Sequence, residues 1–277
     1  MKASLYIVST PIGNLNDISL RAIETLKRVD CIACEDTRMS QRLLNHYQIA
    51  TKLVSYHEFS DEKVSDRLLD AIERGESMAL ISDAGTPLIS DPGYRLVNEA
   101  VNRDIQVVPI PGSCAFVAAL SASGLPSDRF SFEGFLPSKS GARVKALEAL
   151  KKSPQTLIFY EAPHRILDSL KDMAAILGEQ REAVLARELT KTFETIKKLP
   201  LTELHAWVGS DANQQKGEMV VLVGGYEQPE YEELNSSQEH LVKLLLNELP
   251  PKTVSKIVSA HFGMPKKIVY QAILNLS

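Results

Sequence analysis

The sequence is poor in several features that whole classes of protein need. Its 277 residues include three cysteines and one tryptophan, and no apolar run approaches the roughly 18 residues of a membrane-spanning helix. The first apolar run, residues 5–8, is too short for a signal peptide. Three cysteines cannot build a disulfide framework. We therefore expect a reduced, cytoplasmic protein with no membrane segment.

Metal-binding patterns are also missing. The six histidines are scattered, and no H-E-x-x-H motif occurs. Cys31 and Cys34 have C-x-x-C spacing, but there is no second pair and both fall in a strand candidate. Residues three apart on a strand point to opposite faces. The sequence thus predicts no metal centre.

Two common nucleotide-binding motifs are absent as well. The loop after the first strand candidate, residues 9–14, has one glycine, Gly13, where a dinucleotide-binding G-x-G-x-x-G needs three. No G-x-x-x-x-G-K-[ST] occurs anywhere, so a standard NAD fold and a P-loop NTPase are excluded. The loop remains open to two interpretations: a ligand-binding turn, or a plain strand-to-helix turn with Asp17 as the helix N-cap.

The charge is mildly negative but unevenly distributed. There are 31 basic and 35 acidic residues, a net charge of −4, which is unlike a general nucleic-acid binder. Residues 226–250 hold six glutamates and one lysine, whereas residues 251–277 hold four lysines and no acid. A basic end of this kind can hold a polyanion.

The order of apolar segments predicts an α/β architecture. Strand candidates at 5–8, 31–34, 52–56, 78–81 and 106–110 alternate with amphipathic helical segments. Such alternation indicates parallel strands, with ligands outside their carboxyl ends. We expect an N-terminal α/β domain over 1–112 and a second α/β or α+β domain over 113–225. An acidic linker over 226–236 and a helical tail over 237–277 would follow.

Three stiff loops end strands one, four and five of this predicted sheet. Residues 82–93 follow the fourth strand and carry two glycines and two prolines, and Pro111-Gly112-Ser113 follows the fifth. Asp83 and Asp91 place carboxylates where a cationic or hydroxyl-bearing ligand can meet them. The alternative is a Pro-Gly turn with two capping aspartates.

Motifs along nearly the whole chain resemble those of the tetrapyrrole-methylase-type S-adenosylmethionine methyltransferases. The match is close to the RsmI branch, which methylates the ribose 2′-hydroxyl of a cytidine in the decoding region of bacterial 16S ribosomal RNA. In many relatives the fourth-strand loop reads Gly-Asp-Pro, and here the triplet is Gly85-Thr86-Pro87, which fits the ribosomal RNA branch better. The segments that carry the resemblance are residues 10–14, 35–38, 82–93, 111–113, 159–165, 187–191 and 216–218.

The resemblance implies two α/β domains with the cofactor, S-adenosylmethionine, in the cleft between them, and a homodimer. The resemblance implies that the substrate of the protein is 16S ribosomal RNA within the small ribosomal subunit. The implied cofactor-binding residues are Pro11, Gly13, Asp83, Ala84, Gly85, Thr86, Pro87, Ile89, Ser90, Asp91, Pro111, Gly112, Ser113, Tyr160, Glu161 and Ala162.

The segment after the Thr156–Tyr160 strand candidate offers catalytic side chains. A ribose hydroxyl is a poor nucleophile until its proton is partly removed. Glu161 or His164 can accept that proton, and Arg165 can pair with a phosphate. Alternatively, Glu161 and Arg165 form a structural pair and His164 caps a helix.

Basic side chains elsewhere are candidates for contact with the RNA backbone. A solvated charged surface is the alternative for each of them, and Arg38 has Asp36 as a neighbour to pair with. The candidates are Arg38, Lys139, Arg143, Lys145, Arg187, Lys191, Lys266 and Lys267.

The tail has the outline of a helix-turn-helix, with Gly263 between two short amphipathic segments. Nucleic-acid binding is one interpretation, and a helical appendage that stabilises a dimer is the other. Three functions remain open from the sequence: a ribosomal RNA 2′-O-methyltransferase, a porphyrinoid methyltransferase of the same fold, and a non-catalytic nucleic-acid binder.

Overall fold

The computed structural model describes residues 2–57, 62–227 and 234–276, without the side chain of Glu62. The chain divides into two compact units, Met1–Tyr226 and Glu227–Ser277. Within the first unit we call residues 2–112 the N-terminal lobe and residues 113–226 the C-terminal lobe. Over the described residues, no helix combines the length and the apolar character that crossing a membrane requires.

The N-terminal lobe is built on a five-stranded parallel sheet. Its strands are β1 (Leu5–Val8), β2 (Cys31–Cys34), β3 (Lys52–Ser55), β4 (Met78–Ile81) and β5 (Val107–Ile110), in the spatial order β3-β2-β4-β1-β5. Four helices connect them: α1 (Leu20–Arg28), α2 (Thr37–His46), α3 (Glu62–Glu73) and α4 (Tyr94–Asn102). The predicted parallel α/β sheet is confirmed.

Helices cover both faces of this sheet, so alternate residues of each strand enter different cores. Ile32 and Cys34 pack in one apolar cluster, and Cys31 and Ala33 in the other. The two cysteines therefore point to opposite faces, as their spacing predicts. Burial raises the pKa of both thiols. They behave as small core side chains.

The residue that caps the N-terminus of α1 differs from the predicted one. Asp17 lies in a short 3₁₀ turn, Leu15–Asp17, for which Asn14 is the N-cap. The N-cap of α1 is Ser19, whose hydroxyl accepts a hydrogen bond from the Ala22 N–H at 3.1 Å. The assignment of Asp17 as the cap is therefore wrong, because the chain makes an extra turn before the helix begins.

The C-terminal lobe is built on a mixed sheet. Its strands are β6 (Phe130–Phe135), β7 (Thr156–Glu161), β8 (Glu182–Arg187), β9 (Thr195–Pro200) and β10 (Met219–Val223), in the order β6-β7-β10-β8-β9. Only β6 and β7 pair in parallel. The helices are α5 (Ala115–Ser123), α6 (Ser140–Leu150), α7 (Ile166–Leu177) and α8 (Leu201–Ser210).

The tail unit is a cluster of three helices. They are α9 (Ser236–Leu246), α10 (Pro251–Phe262) and α11 (Lys266–Leu276). A capping box between Asn235 and Gln238 begins α9, and Gly263 ends α10 in the left-handed conformation at φ 67°. The helical tail is confirmed; most of the predicted acidic linker, residues 228–233, lies outside the described residues.

Candidate active site

A cavity of about 520 Å³ lies between the two lobes of the first unit. The loop after β4 forms its N-terminal wall, together with Ile12 from the loop after β1. The ends of β7, β8 and β10 and the segments next to them form much of the opposite wall. The cavity thus sits at the carboxyl ends of the parallel strands, where α/β sheets bind ligands.

Hydrogen bonds join the three loops of the N-terminal lobe into one wall. The Thr10 N–H donates to the Gly85 carbonyl at 2.8 Å, and the Gly85 N–H donates to the Thr10 carbonyl at 3.1 Å. The Thr86 hydroxyl donates to the Ser113 carbonyl and lies 2.9 Å from the Ser9 hydroxyl. The loops after β1, β4 and β5 therefore act as a single rigid surface.

The loop after β4 holds an unusual backbone. Gly85 has φ +85°, in the left-handed region that favours glycine. Leu88 and Ser90 also have positive φ values, 73° and 63°, although they carry side chains. Such conformations cost free energy, and they gather at ligand-binding sites.

The cavity wall is acidic. Asp91, Glu161, Glu188 and Glu218 line it, whereas Lys191 is the one basic side chain among the described lining residues. Burial raises the pKa of the Asp91 carboxyl to about 6, and the charge of nearby Glu35 adds to the shift. This electrostatic environment favours a ligand that carries positive charge.

A salt bridge orders the wall around Lys191. Its ammonium donates to Glu188 at 2.8 Å and to Glu218 at 3.0 Å. Burial opposes the ammonium charge, but these two hydrogen bonds raise the pKa of Lys191 overall. Across the cleft, a Cβ on Gly13 would lie 2.6 Å from the Lys191 Cγ, so only glycine admits this side chain.

Glu161, a candidate proton acceptor, is already satisfied by the protein. Its carboxylate accepts from the Ala162 N–H at 2.7 Å, from the Ser169 hydroxyl, and from the Arg165 guanidinium at 2.9 Å. Its side chain is 1% exposed and that of Arg165 is 19% exposed. The structural pair, one of the two alternatives, is present. His164 is exposed, lies in a 3₁₀ turn (Pro163–Arg165), and is not the residue preceding α7.

Two candidate RNA contacts are buried in the C-terminal lobe. Arg143 forms an ion pair with Asp172 at 2.7 Å, and Arg187 donates to backbone carbonyls of Lys216 and Phe193. Both guanidiniums hold protein segments together, so we do not include them in an RNA surface.

The remaining RNA candidates are accessible to different degrees. Lys139 and Lys145 are exposed beside and on α6, and Lys266 and Lys267 are exposed on α11. Arg38 is highly exposed and pairs with Asp36 at 3.3 Å, as the alternative anticipates.

The structure places half of the predicted cofactor residues on the cavity wall. These are Ala84, Gly85, Thr86, Ile89, Ser90, Asp91, Tyr160 and Glu161. Burial raises the pKa of the Tyr160 hydroxyl, so it stays protonated. The other eight are not among the residues that line the cavity: Pro11, Gly13, Asp83, Pro87, Pro111, Gly112, Ser113 and Ala162.

Several lining residues were not predicted as cofactor contacts. Motif segments contain Glu188, Leu189, Gly217 and Glu218, so the signal for them was present but was not assigned a role. Phe135, Ala186 and Val220 come from ordinary strands, and nothing in the sequence distinguishes them. Within the described part of the chain, no three histidine, cysteine or acidic side chains are grouped so as to hold a metal ion.

Comparison with protein families gives two matches that together span most of the chain. Residues 4–205 match the model of the Tetrapyrrole (Corrin/Porphyrin) Methylases, and residues 232–277 match that of the RsmI C-terminal HTH domain. The chain is 54% identical to Ribosomal RNA small subunit methyltransferase I of Pseudomonas aeruginosa, over 98% of this chain and 96% of that protein. It is 50% identical to the protein of the same name from Escherichia coli O157:H7, over 99% and 95%.

Solved structures share the fold at much lower identity. A uroporphyrin-III C-methyltransferase from Thermus thermophilus superposes with a TM-score of 0.56 at 17% identity, covering 80% of this chain and 94% of that one. A diphthine synthase gives a TM-score of 0.59 at 16% identity, covering 79% and 89%. At these identities the likeness establishes the architecture alone.

Proposed function

The chain belongs to the tetrapyrrole methylase family, in its RsmI branch, and from this membership we propose that it is an S-adenosylmethionine-dependent methyltransferase of small-subunit ribosomal RNA. The observation that carries the proposal is about half identity over nearly the whole chain to methyltransferases named for that RNA. More specifically, we propose the ribose 2′-hydroxyl of a cytidine in the decoding region of 16S RNA as the acceptor.

The cavity suits the cofactor in size and charge. Its volume falls within the range of small-molecule sites. S-adenosylmethionine carries a sulfonium and an ammonium group, and a described lining with four carboxylates against the single ammonium of Lys191 has a net negative charge that favours these groups. Gly85 has no side chain, so its backbone can approach the ligand closely. We propose that residues 84–91 hold the methionine part of the cofactor, and that Tyr160 contributes to the opposite wall.

The bound cofactor supplies an electrophilic methyl group on a sulfur that leaves as a neutral thioether, so the reaction needs no metal. The protein's contribution is alignment of donor and acceptor in a confined cleft. Glu161 fixes the Ala162 N–H and Arg165, and thereby shapes the wall beside the acceptor. We propose that the Lys191 ammonium, which Glu188 and Glu218 hold in place through two hydrogen bonds, donates a further one to the phosphate next to the acceptor ribose, since it is the one basic side chain among the described lining residues.

The protein's setting is proposed on the same basis. A ribosomal substrate and three unpaired cysteines are consistent with the cytoplasm. We also propose a homodimer and an assembled small subunit as the physiological form of the substrate. Exposed Lys139, Lys145 and Arg38 would contact RNA outside the cleft.

The test is a transfer assay with S-adenosylmethionine labelled in its methyl group. Acceptors are small ribosomal subunits from a strain lacking this enzyme, the free RNA from those subunits, and a uroporphyrin. We expect label on one ribose 2′-oxygen of the RNA, located by nuclease mapping. Transfer to the porphyrinoid alone would contradict the proposal, and a strain that retains the modification provides the control.

Cofactor affinity should depend on pH through Asp91. Because the pKa of this carboxyl is raised to about 6, it is largely protonated at pH 5 and ionised at pH 7.5. The ionised form attracts the cationic cofactor, so affinity should rise several-fold over this range. Calorimetric titration of the wild type and of Asp91→Asn measures the effect. A flat wild-type profile, or an equal rise in Asp91→Asn, would show that another group is responsible.

A further inference from the structure

All four lysines of the last 27 residues line one pocket in the tail unit. Lys252 and Lys256 are one turn apart on α10, and Lys266 and Lys267 are the first residues of α11. The pocket has a volume of about 500 Å³, and Ser255 and Tyr270 complete its lining. No aspartate or glutamate occurs from residue 251 to the end.

The pocket is held by a packed turn. Val254 and Val258 of α10 pack with Val269 and Ile273 of α11 in one buried cluster. The Ser255 hydroxyl donates to the Lys266 carbonyl at 3.3 Å and thereby ties α10 to the start of α11. The lysine-bearing backbones therefore have a fixed relative geometry.

The four ammonium groups are not neutralised within the part of the chain that the structure describes. None of them forms an ion pair with a described carboxylate, and all four side chains are exposed. The N-terminal end of α11 adds the positive end of its dipole. Four like charges around one concavity repel each other, which raises the free energy of the unbound protein. A bound anion would remove that repulsion.

We propose that this pocket binds the phosphates of a single-stranded stretch of RNA, with Tyr270 stacking on a base. Four charges around one concavity suit a run of phosphates better than a single anion, and Tyr270 is 45% exposed at the same site. Bases of single-stranded RNA stack on aromatic side chains, whereas the major groove of duplex RNA is too narrow for a helix. The inference deepens the proposed function, since it assigns a binding role to the tail.

The test uses the full-length protein and an unstructured, fluorescein-labelled RNA of about 16 nucleotides. Anisotropy titrations over a range of salt concentrations compare the wild type with a Lys→Gln variant at all four positions. Each lost phosphate contact should reduce the slope of log affinity against log salt by about 0.7. We expect a loss of at least about tenfold in affinity at low salt. An unchanged slope would overturn the proposal.

Four further variants separate base stacking from charge, and the lysines of the pocket from an exposed lysine outside it. Tyr270→Ala should weaken binding at least several-fold without changing the salt slope, and Tyr270→Phe should restore it. Lys243→Gln on α9, exposed in the same unit but outside the pocket, should have less effect than Lys267→Gln. Equal effects of these two lysine variants, or duplex RNA bound as tightly as the single strand, would overturn the assignment.

Binding is measured without cofactor, so it is independent of methyl transfer. A protein that binds RNA through this pocket but methylates no RNA would contradict the proposed function alone. A protein that methylates ribosomal RNA normally after all four substitutions, with unchanged RNA affinity, would contradict the tail assignment alone. Circular dichroism of each variant checks that the three tail helices remain folded.

Discussion

Replacing Gly85 by valine is expected to reduce cofactor affinity by at least about 100-fold, equivalent to about 2.7 kcal/mol. Gly85 lies on the cavity wall at φ +85°, where a β-branched residue is strongly disfavoured. An added Cβ would lie at ordinary contact distance from its neighbours, 3.4 Å from the Ile12 Cγ2 and 3.8 Å from the Ser113 carbonyl oxygen, so the expected loss comes from backbone strain and from the valine methyl groups beside the cavity. Calorimetry with S-adenosylmethionine and with S-adenosylhomocysteine measures the loss.

Gly75→Val is the matched control for this prediction. Gly75 also has a positive φ, 106°, but an added Cβ would meet no atom within 4 Å and the residue lies outside the cavity lining. Both variants should lose about 1–2 kcal/mol of stability through backbone strain. Only Gly85→Val should lose cofactor affinity. Equal affinities for the two variants would remove residues 84–91 from the proposed cofactor site.

The sequence predicted the N-terminal lobe well because its signals are local. Four strands of the parallel sheet are short apolar runs bounded by polar or turn residues, and amphipathic segments separate the runs. The stiff loop at residues 82–93 identifies the edge of the sheet that binds ligand. These features depend on neighbouring residues alone, so they can be read without knowing the fold.

The C-terminal lobe was predicted less completely because two of its elements, α5 and β9, lack periodicity. The α5 helix is apolar on nearly all sides (AFVAALSAS), so its sequence shows no amphipathic periodicity. The β9 strand is an edge strand with paired lysines rather than alternating apolar residues, and α8 follows it directly. Neither β9 nor α8 was predicted. Tertiary packing determines the structure of such segments.

The roles of charged residues at the candidate site also depend on tertiary packing, which the sequence pattern does not show. Arg143 and Arg187 were candidates for RNA contact, yet burial and internal partners determine what they do. The contact of Gly13 with Lys191 joins residues from different lobes, and no local pattern encodes it. The chemistry of a side chain is visible in a sequence, whereas its exposure depends on the folded chain around it.

Glu161→Ala should cost both stability and activity. Removing this carboxylate leaves the mostly buried Arg165 guanidinium without its ion-pair partner, and it leaves the N–H of Ala162, which lies next to the cavity-lining Glu161 in the chain, without its acceptor. Breaking a buried pair in this way lowers the free energy of unfolding by about 3 kcal/mol. Urea unfolding measures that loss. At a temperature where the variant is still folded, we expect kcat for methyl transfer to fall by about 100-fold, because the wall beside the acceptor is no longer fixed.

Asp172→Ala separates the two effects. Asp172 pairs with buried Arg143, so its loss also leaves a buried guanidinium unpaired, but neither residue lines the cavity. We expect Asp172→Ala to lose a similar free energy of unfolding. Its kcat should stay within about twofold of the wild type, because Glu161 lines the cavity and Asp172 does not. If the two variants lose activity in proportion to stability alone, Glu161 is a structural residue and proton acceptance must be sought elsewhere. If Glu161→Gln retains kcat while Glu161→Ala does not, the side chain positions the wall without taking the proton.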